Sequence, residues 1–172
     1  MTAEVEFDAF RLLQELNKAG VRYIVIGGVA ARTHGSPLIT ADLDICYARD
    51  DANHQALADM LQRVHARLRG VDREVPFRLD AKTIRKGDSF TFETDFGAFD
   101  ILATPSGTEG YSDLVMKAVR ADLDGLTVLV AGLGDLMRMK RAAGRKKDLL
   151  AIEELGALRE ELDTGPAHEP VE

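Results

Sequence analysis

Asp42 and Asp44 stand two residues apart in the run Asp42-Leu43-Asp44-Ile45. In a strand these positions share one face, so two carboxylates emerge together about 7 Å apart along the chain while Leu43 and Ile45 turn toward the core. Like charges projected together cost free energy unless a cation lies between them, and hard carboxylate oxygens suit Mg²⁺ or Mn²⁺. Upstream, the apolar run from Val21 to Ile26 reads as a buried strand ending in Gly27-Gly28. Residues without Cβ let backbone amides approach an anion, and a helix starting there, around Val29-Ala30-Ala31-Arg32, aims its positive end at the same point. Mg²⁺ keeps several waters and takes phosphate oxygens, so a phosphate turn and a carboxylate pair make one site. A lone Asp-x-Asp is more often a solvated strand end. The glycines upstream and Thr40, two residues before Asp42, tip the reading toward a metal and phosphate site.

The segment Gly27-Gly28-Val29-Ala30-Ala31-Arg32-Thr33-His34-Gly35-Ser36-Pro37-Leu38-Ile39-Thr40-Ala41-Asp42-Leu43-Asp44-Ile45 resembles the signature of the polymerase-β-type nucleotidyltransferase superfamily: a G-[GS] turn, a helix, then a D-x-[DE] pair. Within that superfamily, the small size and the later segment from Asp135 to Leu149 are most similar to the abortive-infection, AbiEii-type enzymes, many of which are toxins of bacterial toxin–antitoxin pairs. Leu38 and Ile39 stand before Thr40, where many relatives carry arginine.

The superfamily adds a third carboxylate from a later strand, and Asp100 is the residue this chain offers. Ser89–Thr94 and Ala98–Leu102, joined by a turn at Asp95-Phe96-Gly97, read as a hairpin rich in aromatic and β-branched residues. Asp100 lies inside its apolar second strand, where an unpaired charge is expensive. Two partners can satisfy it: a cation shared with Asp42 and Asp44, or an arginine. In the first case Asp42 and Asp44 hold the metals and Asp100 helps to position and deprotonate an attacking hydroxyl. Asp95-Phe96-Gly97 copies a kinase triplet by letters only, with no catalytic loop before it.

Leu133–Ala143 has helical periodicity, Gly144 suits a C-terminal cap, and a second helix from about Lys146 to Leu162 carries Leu149, Ile152, Leu155 and Leu158 as a stripe. Arg138, Lys140, Arg141, Arg145, Lys146 and Lys147 concentrate positive charge there. For Arg138, Arg141 and Lys147 a solvated helix face is the expected role. The resemblance implies more for Lys140, which would contact the triphosphate, for Asp148, which would complete the site by orienting Lys140 or Arg145, and for Arg145 as a second phosphate contact.

The chain has 172 residues, 45% of them hydrophobic, which is enough to bury a core. No apolar run is long enough to span a bilayer and no leader or lipidation box is visible, so a soluble, cytoplasmic protein with no membrane partner is expected. The single cysteine, Cys46, excludes an intrachain disulfide and reads as a small buried residue. The histidines His34, His54, His65 and His168 show no metal-ligand spacing. A net charge of −7 argues against broad nucleic-acid binding, though a local basic surface can still steer RNA. Arg63, Arg67, Arg69 and Arg73 are expected on the solvated face of a helix from Asp51 to about Leu68, whose Leu57, Met60, Leu61, Val64 and Leu68 face inward.

The remaining layout is a leading helix near residues 4–18, a strand near Val75–Leu79, a helix near Tyr111–Lys117 and a strand at Leu126–Ala131. The expected fold is α/β (α+β), a small mixed sheet with packed helices: one domain over 1–162, with a core at 1–131, helices at 132–162 and a disordered tail from 163. The expected activity moves NMP from an NTP to an acceptor hydroxyl of RNA, tRNA or protein, with a cognate antitoxin as partner. A small-molecule acceptor of aminoglycoside type is the alternative. A catalytically idle nucleotide-binding module is the reading from another class.

Overall fold

The computed structural model describes residues 3–71 and 77–164. Helix α1 (Ala9–Lys18) starts later than expected because Asp8 caps it, its side chain accepting from the Arg11 amide at 3.1 Å. The residues before it are committed elsewhere: the Asp8 amide donates to the Phe96 carbonyl at 2.9 Å. Leu12, Leu13 and Leu16 bury one stripe of α1.

Strand β1 (Tyr23–Ile26) runs directly into helix α2 (Gly27–Thr33), so the two glycines open the helix rather than precede it. Strand β2 (Asp42–Tyr47) follows, then helix α3 (Asp51–Arg63) capped by Asp50. The arginine-bearing helix is thus shorter than expected. His65, with φ of 51°, reverses the chain and sends it into the two-residue strand β3 (Arg67–Leu68), which takes Arg67 and Arg69 off the helix. Arg73 and the first part of the strand expected near Val75–Leu79 lie outside the described residues. Phe77–Leu79 form no strand, and Phe77 instead packs on Phe90 and Phe92 at 6.2 and 6.4 Å between ring centroids. Helix α4 (Ala81–Lys86), unanticipated, is capped by Asp80.

The hairpin forms as expected from β4 (Ser89–Thr94) and β5 (Gly97–Leu102). Helix α5 (Tyr111–Leu114) continues into a 3₁₀ turn at Val115–Lys117. A second hairpin joins β6 (Val119–Leu123) to β7 (Leu126–Val130) through Asp124 and Gly125, both at positive φ. Helices α6 (Leu133–Ala143) and α7 (Lys146–Thr164) are separated by Gly144 in the left-handed conformation, the cap read from the sequence. The expected tail beyond Thr164 lies outside the described residues. Along α7, Leu155 is buried and Ile152 and Leu158 are half-buried, but Leu149 is exposed. Burial of Asp148 sets the helix phase: Asp148, Ile152 and Leu155 form the inward stripe, and Leu149 turns out.

The strands form one mixed seven-stranded sheet in the order β3-β4-β5-β2-β1-β7-β6. β2 lies antiparallel to β1 and parallel to β5. This register places Asp44 beside Ile26 on one side and Asp100 on the other. Leu43, Ile45, Phe99 and Ile101, the alternating neighbours of the acids, are fully buried, as is Cys46. Core packing on one face of β2 and β5 thus fixes the carboxylates on the other. No helix among the described residues is long and apolar enough to cross a membrane.

Candidate active site

Oxygen atoms of Asp42, Asp44 and Asp100 all lie within 4.8 Å of one another, and each side chain is half-buried. The i, i+2 spacing on β2 supplies two of them; the parallel pairing with β5 supplies the third. Their electrostatics reflect the crowding. Burial, followed by repulsion from Asp42 and Asp100, pushes the Asp44 carboxyl up to about 8, with Lys140 acting weakly in the opposite direction. Burial also raises Asp100, against the pull of the Arg69 guanidinium. A divalent cation fits this place chemically: three hard oxygen donors converge with more negative charge than the surrounding cations neutralise, which suits Mg²⁺ or Mn²⁺ held by Asp42, Asp44 and Asp100.

The glycines are explained by what occupies their missing Cβ positions. A Cβ on Gly27, which has φ of 67°, would collide with Oδ2 of Asp44, and one on Gly28 would sit 2.7 Å from Oγ1 of Thr40. The pair therefore seats the site's own carboxylate and hydroxyl. Thr40 Oγ1 lies 3.0 Å from the Asp42 carbonyl and 3.3 Å from its Oδ1, which ties the loop before β2 to the first acid. Gly27→Ala is expected to displace Asp44 and to cost about 1–3 kcal/mol of stability from the strained backbone. Urea unfolding with and without Mn²⁺ checks this: a variant as stable as the wild type that still binds Mn²⁺ would show that Asp44 has other room.

Across the cavity, α6, α7 and the turn between them gather charges around the buried Asp148. Asp148 has a side chain only 1% exposed; Lys140 Nζ lies 3.2 Å from its Oδ1 and Arg145 Nε donates to its Oδ2 at 2.8 Å. Burial would raise this carboxyl, but hydrogen bonds from Arg145 and Lys140 hold it below its ordinary value. Asp148 is thus paired with both basic residues and stands apart from the carboxylate trio. Every candidate singled out in the sequence, from Gly27 and Gly28 through Thr40 and the three acids to Lys140, Arg145 and Asp148, lines one cavity of about 500 Å³. Ser36 donates to Glu154 on α7 at 3.0 Å and closes one wall; Leu38 and Ile39, 55% and 92% exposed, form an apolar rim.

Two basic residues depart from the solvated-face expectation. Arg138 bridges Asp113 at 3.0 Å and Asp135 at 3.2 Å. Arg69 bonds Asp100 Oδ1 at 2.7 Å. Asp100 therefore has the arginine that the sequence offered as one of two partners, and it lies among the acids with which it could share a cation. The signal for Arg69 was an acid inside an apolar strand that needed a cation, in a chain whose arginine stretch was otherwise given to a solvated helix face. Arg141 and Lys147 are exposed as expected, and the described histidines join no metal-binding group among the described residues.

No family model matches the chain, and no curated protein matches it. Solved structures do. The lincomycin-bound lincosamide antibiotic adenylyltransferase LnuA superposes with a TM-score of 0.61 at 12% identity, over 89% of this chain and 99% of that one. The antibiotic-resistance factor ANT(2'')-Ia gives 0.54 at 11% identity, over 90% and 88% of the two chains. An antigenic nucleotidyltransferase-like protein from Paracoccidioides brasiliensis gives 0.50 at 16%, over 86% and 72%. The fold expectation holds: this is a nucleotidyltransferase fold, with its mixed sheet presenting the acids of β2 and β5.

Proposed function

We propose that the protein is a metal-dependent nucleotidyltransferase of the polymerase-β type that moves NMP from an NTP to an acceptor hydroxyl. The observation that carries this reading is the convergence of Asp42, Asp44 and Asp100 on one point of a cavity whose other walls bear Gly27, Gly28, Thr40 and Lys140. Mg²⁺ or Mn²⁺, when bound, would supply charge neutralisation to the triphosphate and acidify the hydroxyl. Asp42 and Asp44 would hold the cation together with Asp100, which would also position the hydroxyl and accept its proton. The acceptor oxygen bonds to the α-phosphorus, the bridge between α- and β-phosphates breaks, and pyrophosphate leaves with the bonding electrons. Lys140 and Arg145 neutralise phosphate charge, with Asp148 fixing both.

The resemblance to AbiEii-type enzymes favours an RNA, tRNA or protein acceptor and a role as the toxin paired with an antitoxin. A second reading, a small-molecule acceptor, gains support from LnuA and ANT(2'')-Ia, both connected with antibiotics, and from the exposed apolar rim at Leu38 and Ile39. An idle module is disfavoured by the energetic cost of keeping three acids together.

Calorimetry tests the common core. NTP with Mg²⁺ should bind, and chelation should abolish most of that affinity. Asp100→Asn should remove transfer while weakening binding of the metal and NTP together far less than Asp44→Asn does, because triphosphate oxygens also hold the cation in that complex and a proton acceptor acts in the transition state. NTP affinity indifferent to chelation would overturn the metal-dependent reading.

A further inference from the structure

Arg69 stands at the end of β3, a strand of two residues paired with β4. Its amide continues the ladder by donating to the Thr91 carbonyl at 2.9 Å, and Gly70, at φ of 72°, then turns the chain away. The side chain reaches back over the sheet and its guanidinium meets three acceptors. Nε donates to Glu93 Oε1 at 3.0 Å, while Nη2 donates to the Phe92 carbonyl at 2.9 Å and to Asp100 Oδ1 at 2.7 Å. Glu93 and Phe92 belong to β4, so the plane of the fork is set by the neighbouring strand before it touches Asp100.

The consequence falls on Asp100, whose side chain is 16% exposed. A carboxylate on a strand has freedom about its side-chain bonds, and repulsion from Asp42 pushes it away from the cluster. A guanidinium holding Oδ1 opposes both effects and leaves the second oxygen for the cluster. We infer that Arg69 is a positioning residue that orients Asp100 toward the cation site, an assignment that rests on the metal-site reading above. A lysine would keep the positive charge but, as a point donor on a flexible stem, could not hold Glu93, Phe92 and Asp100 in one plane. A residue that merely straps β3 to the sheet would behave differently, since its loss would lower stability without reaching the metal.

Binding of Mn²⁺ alone to the full chain, followed by the EPR signal of free Mn²⁺, separates these roles without requiring turnover. Arg69→Lys should weaken Mn²⁺ binding by about tenfold, the scale for losing a group that orients a metal ligand. The same substitution on an Asp100→Asn background should cause no further weakening, because its effect runs through Asp100. Wild-type Mn²⁺ affinity in Arg69→Lys, or equal weakening on both backgrounds, would overturn the assignment. Should Arg69→Lys fail to fold by circular dichroism, Glu93→Gln, which loosens the fork from the β4 side, should weaken Mn²⁺ binding by a smaller factor that also vanishes with Asp100→Asn; an unchanged affinity there overturns it equally. A wild-type protein that binds Mn²⁺ in this pattern but transfers no nucleotide would end the transferase reading and leave Arg69 in place. Where transfer is measurable, Arg69→Lys at saturating Mn²⁺ should lower kcat with KM for the NTP within about twofold, since misorientation acts on the reacting geometry.

Discussion

Asp44→Asn should lose about 10³-fold in nucleotidyl transfer, roughly 4 kcal/mol of transition-state stabilisation, and should melt higher than the wild type when metal is removed. The two effects have one cause. Asp44 sits centrally among the acids, beside Asp100 across the strand pair and two residues from Asp42, and its carboxyl is pushed up to about 8 by burial and by these neighbours. In the folded, metal-free protein it binds its proton more tightly than in the unfolded chain. Its contribution to stability is therefore fully present below the ordinary carboxylate value and declines as pH rises toward about 8. The wild-type melting temperature in chelator should fall across that interval, and Asp44→Asn, isosteric and uncharged, should flatten the slope. Saturating Mn²⁺ should reverse the ranking, because only the wild type then gains a compensated charge. Scanning calorimetry at pH 5 and pH 8, with and without Mn²⁺, checks all of this; parallel slopes for both proteins in chelator would show that Asp44 carries no such strain.

The residues that make this prediction possible were legible because their chemistry is written at short range. The Asp42-x-Asp44 spacing, the glycines after an apolar run, the β4–β5 hairpin and the Gly144 cap all depend on a few consecutive residues. β3 was missed because two residues carry no periodicity, and extending α3 through them was the simpler pattern. β6 was missed although Asp124-Gly125 is a strong turn signal and Val119, Ala121 and Leu123 alternate with Arg120 and Asp122, a pattern of only five residues. Arg69 and Asp100 are separated by 31 positions, and only the order β3-β4-β5 brings them together. The glycines were read as a place where an anion approaches the backbone. What approaches them is the protein's own Asp44 and Thr40, a fact fixed by packing between α2 and β2 rather than by either segment alone.

Lys140→Ala should weaken NTP binding by about 1.5–3 kcal/mol, the usual scale for a lost hydrogen bond to a charged group. Because Lys140 also faces the buried Asp148, its removal leaves only Arg145 on that carboxylate and should reduce stability as well. Asp148→Asn separates the two contributions: it should lower the melting temperature and loosen Lys140 and Arg145, yet keep both charges in the cavity and so retain more NTP affinity than Lys140→Ala. Equal affinities for wild type and Lys140→Ala would remove Lys140 from the nucleotide site. The same pair of proteins then reports on the acceptor. If the acceptor is a polymer, wild-type protein incubated with labelled NTP and total cellular RNA or protein should transfer label to one of them, Lys140→Ala should not, and expression of the wild type alone should slow bacterial growth. If the acceptor is a small molecule, neither polymer is labelled, growth is unaffected, and label should move instead to a hydroxyl compound whose apolar part meets Leu38 and Ile39. In that case Ile39→Ser, which removes the most exposed apolar side chain of the rim, should raise KM for the acceptor while leaving KM for the NTP unchanged. Label on RNA or protein together with an unchanged acceptor KM in Ile39→Ser would assign the enzyme to the polymer-modifying class.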